Sequence, residues 1–409
     1  MIFSVFTHVV HKLGNSKYFA YGPYVREMNI WFKNFEKVTI IAPSSEENVF
    51  ENEEAYKKPS VSFKEISSFN LLSVKQSLNT IIRIPGVVLQ IIKGMKQADH
   101  LHLRCPGNIG LLAAIIQIFF PKKPKTAKYA GNWDPGAKQP WSYRFQKWIL
   151  SNTFLTRNMQ VLVYGQWPGQ SKNIVPFFTA SFSEEEIPEI VEKDFTSDLT
   201  FLYVGNLVQG KQPLEAIKLV EKLKTAGKMD KDSEDQIRQI RLEIYGSGPE
   251  RENLESYCRE KDWVRFQGAC SIAELKKAYQ KAHFIILLSK SEGWPKALAE
   301  GMFYGCIPIA TPVSCVPWML GKGSRGVLVM EGVQAKDLPG NGSGKGISQY
   351  VSGETGQSIV ELIKDPEGLS RMSDDAKEWS QQYTLEKLES AIKQVLKLSN
   401  QKNPFSLGK

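Results

Sequence analysis

The chain has 409 residues, 42% of them hydrophobic and 23% charged, with a formal net charge of +9. That length suggests two or three domains, and the composition is that of a globular protein able to bury a core, which excludes a disordered or fibrous chain. Its five cysteines (Cys105, Cys258, Cys270, Cys306, Cys315) form no C-x-x-C pair, which points to a reduced compartment and away from a structural zinc site.

The N-terminus, MIFSVFTHVVHKLG, lacks a basic leader and reads as a first buried strand rather than a signal peptide. IFSVFTHV, KVTIIAPS, DHLHLRC, KTAKYAG and QVLVYG then follow at the spacing of strands in a parallel sheet. YVREMNIWFKNF and NTIIRIPGVVLQIIKGM lie between them as helices, so residues 1–180 predict a doubly wound α/β domain. The longest apolar run, IGLLAAIIQIFF at 109–120, has 12 residues. That is short of the ~18–20 needed for a membrane span and suits a buried core helix. Charge is uneven: residues 1–180 hold 22 basic against 10 acidic side chains, and 104–180 hold ten basic side chains and one acid, Asp134. A basic half points to an anionic partner. No nucleic-acid-binding module is present, so an anionic substrate or membrane surface is expected. Trp133, Trp141, Trp148 and Trp167 with Lys122, Lys123 and Lys125 are candidates for a docking face, and the tryptophans suit a carbohydrate-stacking groove equally.

The acidic stretch 181–197 reads as a linker. A second β/α series begins at LTFLYVGNL and runs through IRLEIYGSG, VRFQGA, HFIILLS, IPIAT and GVLVMEG, predicting a second Rossmann-like domain over 198–370. The stretch 333–348 is Gly-rich and predicts an exposed loop. DDAKEWSQQYTLEKLESAIKQVLKL, about 374–398, reads as one long amphipathic helix.

The densest signal is SKSEGWPKALAEGMFYGCIPIATPVS at 289–314. A buried strand leads in, Glu292 falls on the following loop, Pro295 suits the first turn of a helix, and Glu300 lies inside that helix. Pro295 to Glu300 covers roughly 7 to 8 Å of axis. Backbone N–H groups near Gly293, Trp294 and Lys296 face any anion in front of the helix. Carboxylates repel phosphates, so both glutamates are expected to serve hydroxyl groups, and a sugar nucleotide offers phosphates and hydroxyls together.

This segment resembles the retaining glycosyltransferases of family 4 (group 1), whose architecture is GT-B. The resemblance implies two facing Rossmann-like domains with an interdomain cleft and a C-terminal helix that crosses back to the first domain. It implies that Glu292 faces the donor sugar and Glu300 binds the ribose. FLYVGNLVQGKQP (201–213) resembles the family's phosphate-binding turn: Gly205 and Lys211 match, while Asn206 stands where an arginine is usual. Asn gives one hydrogen bond and no charge, so Lys290 or Lys296 is expected to help neutralise a diphosphate. Gly246 and Ser247 resemble the loop lining the base. Gly22 occupies the place of a glycine loop near the donor phosphates, and Tyr24 and Arg26 suit acceptor contacts or surface equally. The family's histidine has no counterpart in KYAGNWDPGAKQPW (128–141), where Asn132 and Asp134 are the local candidates. His8, His11 and His102 read as core residues.

The implied activity is metal-independent, retaining transfer of a hexose from a nucleotide-diphosphate donor to a glycan or lipid-linked glycan, without a cofactor. The expected setting is cell-surface polysaccharide synthesis, in the cytoplasm or peripherally at the inner face of the membrane. The alternatives are a noncatalytic sugar-nucleotide-binding or scaffold subunit, which Asn206 and the missing histidine motivate, and a sugar-nucleotide epimerase of the same fold.

Overall fold

The computed structural model describes residues 1–50, 52–59, 61–67, 77–189, 192–229, 239–329, 350–351 and 355–401, and the Gly-rich stretch 333–348 lies outside them. The chain divides into two compact units, Met1–Thr179 with the residues from Lys387 onward, and Ala180–Glu386.

The first unit runs β1 (Ile2–Phe6), β2 (His11–Gly14), β3 (Lys17–Tyr21), α1 (Gly22–Phe32), β4 (Lys37–Ala42), β5 (Ser44–Ser45), β6 (Glu53–Ala55), β7 (Val61–Glu65), α2 (Ser77–Gln97), β8 (His100–Cys105), α3 (Asn108–Ile116), β9 (Lys125–Tyr129), α4 (Trp141–Ser151), β10 (Met159–Tyr164) and β11 (Ile174–Phe177). Its main sheet has the order β11-β10-β9-β8-β1-β4-β7 and is parallel throughout. The strands are apolar runs because both faces are covered, and Phe3, Val5 and Phe6 of β1 are fully buried. The helix predicted at 109–120 is α3 through Ile116, mostly buried, followed by a 3-10 turn at Gln117–Phe119 that leaves Phe119 exposed. A second sheet, β5-β2-β3-β6, was not expected from the sequence. It is built on a hairpin whose turn residues Asn15 and Ser16 both take positive φ, 50° and 59°, the geometry of tight hairpin turns.

Part of the basic surplus of this unit is internal. Glu27 on α1 accepts from Arg104 at 2.9 Å and lies 3.8 Å from the Lys128 ammonium. Lys128 also donates to the Phe178 carbonyl at 2.8 Å. Lys125, expected on a docking face, is fully buried on β9 and donates to Gln117 Oε1 at 2.9 Å, while Lys123 donates to the carbonyls of Lys96 and Ala98. Successive residues of a central parallel strand both meet protein, so a lysine there has no route to water. Trp133 is also internal and donates to Gln170 Oε1 at 3.0 Å, and Trp167 is half-buried, donating to the Tyr164 carbonyl. Trp141 and Trp148 are exposed.

Burial lowers the Lys125 ammonium to about 7, against an unfolded value near 10.4. Between those values the unfolded chain holds a proton that the native one lacks, so this group's contribution to stability rises with pH across that window. Below it both states are protonated and the native state carries the full cost of a buried charge. Lys125→Met is therefore expected to stabilise by on the order of 1–3 kcal/mol at pH 6, after allowing for the lost hydrogen bond, with the gain fading toward pH 10. Urea unfolding of both proteins at the two pH values checks this, and an equal loss at both would contradict it.

The second unit runs β12 (Leu199–Val204), α5 (Pro213–Met229), β13 (Ile240–Tyr245), α6 (Arg251–Tyr257), β14 (Val264–Gly268), α7 (Ile272–Lys281), β15 (Phe284–Leu287), α8 (Lys296–Phe303), β16 (Ile307–Ala310), α9 (Val316–Met319), β17 (Val327–Val329), β18 (Tyr350–Val351), α10 (Thr355–Ile363) and α11 (Pro366–Gln381), with α12 (Leu385–Gln401) following. The sheet order is β14-β13-β12-β15-β16-β17-β18, all parallel. Phe201 of β12 and Phe284 of β15 stack at 4.5 Å in its core. The acidic stretch read as a linker is packed on this unit: Phe182 lies against Phe303 and Tyr304, and Lys193 donates to the carbonyls of Tyr279 and Gln280. The single helix expected at 374–398 is two, α11 and α12. Tyr383, between them, joins an aromatic cluster with Trp294, Trp318 and Trp379, and that packing replaces helix continuation. From Lys387 onward α12 belongs to the first unit.

Candidate active site

In the second sheet the order reverses between β12 and β15. Ligands of such sheets sit beyond the carboxyl ends of the strands at that reversal. The loops leaving β12 and β15 carry Lys211 and Glu292, and the two side chains form an ion pair at 2.6 Å. The loops are also tied by backbone, Lys290 N–H donating to the Gly210 carbonyl at 2.9 Å. The Glu292 side chain is 7% exposed and that of Lys211 31%, so solvent reaches the pair from the lysine side.

The β13 loop braces the turn after β12. Gly205 N–H donates to Tyr245 O, and Leu207 N–H to Ser247 O. Gly246 has φ +145°, and a Cβ there would stand 1.9 Å from the Gly205 carbonyl oxygen. Only glycine allows that approach. Asn206 and Ser247 are exposed at the edge of these turns.

Glu300 lies on α8, as expected. Its carboxylate accepts from Ser181 Oγ at 2.5 Å and from Tyr279 OH at 3.0 Å. Neither partner stood out in the sequence. Ser181 lies 119 residues earlier, in the supposed linker, and Tyr279 is one tyrosine on an amphipathic helix. Burial first, then the neighbouring Glu300 carboxylate, raises the Tyr279 phenol well above its usual range, so it stays a donor. A carboxylate offers about four acceptor sites, so Glu300 keeps capacity for two hydroxyl groups.

The loop between the glutamates is fixed by packing. Trp294 is 7% exposed and stacks on Trp379 with centroids 6.1 Å apart, so its ring is structural and only its backbone can serve a ligand. The Gly293 carbonyl accepts from Ser314 Oγ and Cys315 Sγ. Pro295 caps α8 from just outside, not inside its first turn, and Lys296 is the first helical residue.

The remaining candidates lie in the first unit. Gly22 is buried at the start of α1 and gives its N–H to the Asn52 carbonyl, so that N–H is already committed. Asn132 Oδ1 accepts from Asp134 N–H, and Asp134 Oδ1 from Gly136 N–H, both at 2.8 Å. These side chains shape their own loop. His11 and His102 are buried and hydrogen-bonded, as expected of core residues, and His100 is buried beside them on β8. His8, read as core, is exposed just past β1. Among the described residues no group of three or more His, Cys, Asp or Glu is placed to hold a metal ion.

The family model for glycosyl transferases group 1 matches residues 184–339. The match lies within the second unit, Ala180–Glu386. Comparison with curated proteins returns no match. Among solved structures, the chain is similar to a sucrose-phosphate synthase from Thermosynechococcus elongatus (15% identity, TM-score 0.60, covering 97% of this chain and 98% of that one). It is similar also to the lipopolysaccharide outer core galactosyltransferase WaaB (14%, 0.62, 97% and 99%) and to HepE of Anabaena in complex with UDP and glucose (10%, 0.60, 97% and 99%). At these identities the likeness is one of fold, and the fold is GT-B.

Glu300→Gln is expected to raise donor KM and cost on the order of 1–3 kcal/mol in kcat/KM, because one charged acceptor of two hydroxyls becomes a weaker neutral one. Calorimetry with a folded variant checks it, and unchanged donor affinity would remove Glu300 from the site.

Proposed function

We propose that this chain is a metal-independent, retaining glycosyltransferase that moves a hexose from a nucleotide-diphosphate donor to a glycan or lipid-linked glycan. The observation that carries the reading is the Lys211–Glu292 pair at the sheet reversal, with Glu300 on the helix that follows. A cation for the leaving diphosphate and a shielded carboxylate for the sugar stand side by side there. HepE binds UDP and glucose, and WaaB acts on the lipopolysaccharide outer core. Both fit a nucleotide-sugar donor and a cell-surface glycan acceptor. The second unit holds the donor, with Gly205, Asn206, Gly246 and Ser247 about the nucleotide and the N-terminal end of α8 toward the phosphates. The first unit, with Asn132 and Asp134, receives the acceptor.

In the reaction the bond from the sugar's anomeric carbon to the diphosphate breaks, and the acceptor oxygen bonds to that carbon from the same face. The acceptor's proton passes to the departing phosphate oxygen. Lys211 meets the charge that builds on the diphosphate, an interaction that strengthens in the transition state. No protein base is then needed, which accommodates the missing histidine. No helix among the described residues is long and apolar enough to cross a membrane.

Asn206, in place of an arginine, favours a second reading as a noncatalytic sugar-nucleotide-binding subunit. A panel of nucleotide sugars, assayed for nucleoside diphosphate release with and without chelator, separates the two. The enzyme releases diphosphate from one donor regardless of chelator and keeps the anomeric configuration; the subunit releases none.

A further inference from the structure

α4 turns its largest rings outward. Ser142, Gln146, Ile149 and Leu150 face the core, while Trp141, Phe145 and Trp148 are 63%, 40% and 57% exposed. Their spacing of four and three residues puts the rings on one stripe of the helix. Phe145 and Trp148 stack on each other at 5.8 Å. Just past the helix Phe154 is 70% exposed, with the Arg157 guanidinium 4.6 Å over its ring. Arg144, on the helix itself, is exposed too.

Arg157 also lines a cavity of about 510 Å³, together with Lys122, Thr153 and Lys172 among others, with three cations and no carboxylate in its wall. Residues 135–180 contain no Asp or Glu at all. The cavity opens at the N-terminal ends of β9 and β10, where Lys122 and Asn158 precede the strands. Asn132 and Asp134 follow β9 at its other end, so the cavity is separate from that loop.

We propose that this face of the first unit docks on anionic phospholipid. The aromatic stripe enters the boundary between headgroups and acyl chains, and the cavity takes a lipid phosphate. Outward Trp and Phe beside Arg and Lys on an amphipathic helix suit that boundary, where one side of the helix meets hydrocarbon and the other meets phosphate. Phe145 and Phe154 have no polar tip to offer a soluble glycan, and the stripe lies on a convex helix surface. The docking charges are Arg144, Arg157 and Lys172 rather than Lys123 and Lys125, whose ammonium groups are committed inside the fold. The surface is independent of the donor site, so it stands or falls apart from the activity proposed above.

The test is cosedimentation of the full chain with phosphatidylcholine vesicles, with and without phosphatidylglycerol, at low and high salt. The expected result is binding to the anionic vesicles at low salt. Arg157→Glu with Lys172→Glu should weaken it at least about tenfold, each basic residue near the surface being worth about 1 kcal/mol. The triple change Trp141→Ser, Phe145→Ser, Trp148→Ser should remove quenching of tryptophan fluorescence by brominated lipid. Donor turnover with a soluble acceptor should be unchanged in both variants. Equal binding to neutral and anionic vesicles, or no effect of either variant, would overturn the proposal. Loss through the charges alone, with displacement by a soluble polyanion such as heparin, would overturn it in favour of a soluble ligand.

Discussion

Glu292→Gln is expected to cut kcat by about 10²–10³-fold while nucleoside diphosphate binding holds or tightens. The two effects have one cause. Glu292 is nearly buried and spends its charge on Lys211 at 2.6 Å. Glutamine keeps the shape, so the loop anchored by Trp294 should stay in place. It removes the negative charge that the proposed function sets beside the transferred sugar, which is where charge changes most as the anomeric carbon loses its leaving group. It also frees Lys211 from its carboxylate, and a freed ammonium holds a diphosphate better. Turnover at saturating donor and a titration with free nucleoside diphosphate check the two halves separately. If binding vanished while turnover stayed normal, the roles of Glu292 and Glu300 would be exchanged.

Glu27→Ala is expected to cost about 3–5 kcal/mol of stability, the usual penalty for removing one partner of a buried ion pair. Glu27 is 5% exposed and Lys128 fully buried. The carboxylate pairs with Arg104 at 2.9 Å and faces Lys128 at 3.8 Å, with Thr179 Oγ1 3.5 Å from its second oxygen. Alanine leaves two cations inside the first unit with no anion between them. At the size of this unit the loss is a fall of about 6–20 °C in Tm. Thermal and urea unfolding check it, and a cost below about 1 kcal/mol would mean that Arg104 and Lys128 reach water.

The second unit was legible because its signals are local. Val- and Ile-rich runs mark the strands, and Glu292, Pro295 and Glu300 fall at readable positions around one short helix. What stayed hidden depends on distant partners. The strand KTAKY shows two lysines that look exposed, and nothing nearby in sequence reveals that Lys128 meets Glu27, or that Lys125 turns to Gln117. The hairpin sheet escaped because strands of two to five residues, such as Ser44–Ser45 and Glu53–Ala55, carry too little alternation to stand out. The anchoring of the Trp294 ring escaped as well, because the rings of Trp318, Trp379 and Tyr383 that claim it come from later elements. The partners of Glu300 escaped for the same reason: a serine in an acidic stretch and a tyrosine on a helix carry no motif.

The proposed function requires that the loops of Lys211 and Glu292, with Glu300 on α8, form a nucleotide-sugar site. Calorimetric titration of nucleoside diphosphates into the wild-type chain, Glu300→Gln and Glu292→Gln tests it most directly. One nucleoside diphosphate should bind the wild type, bind Glu292→Gln at least as well, and bind Glu300→Gln about tenfold or more weakly, as loss of one charged hydrogen bond requires. Binding that is equal in all three proteins, or absent from the wild type across the whole set of bases, would contradict it.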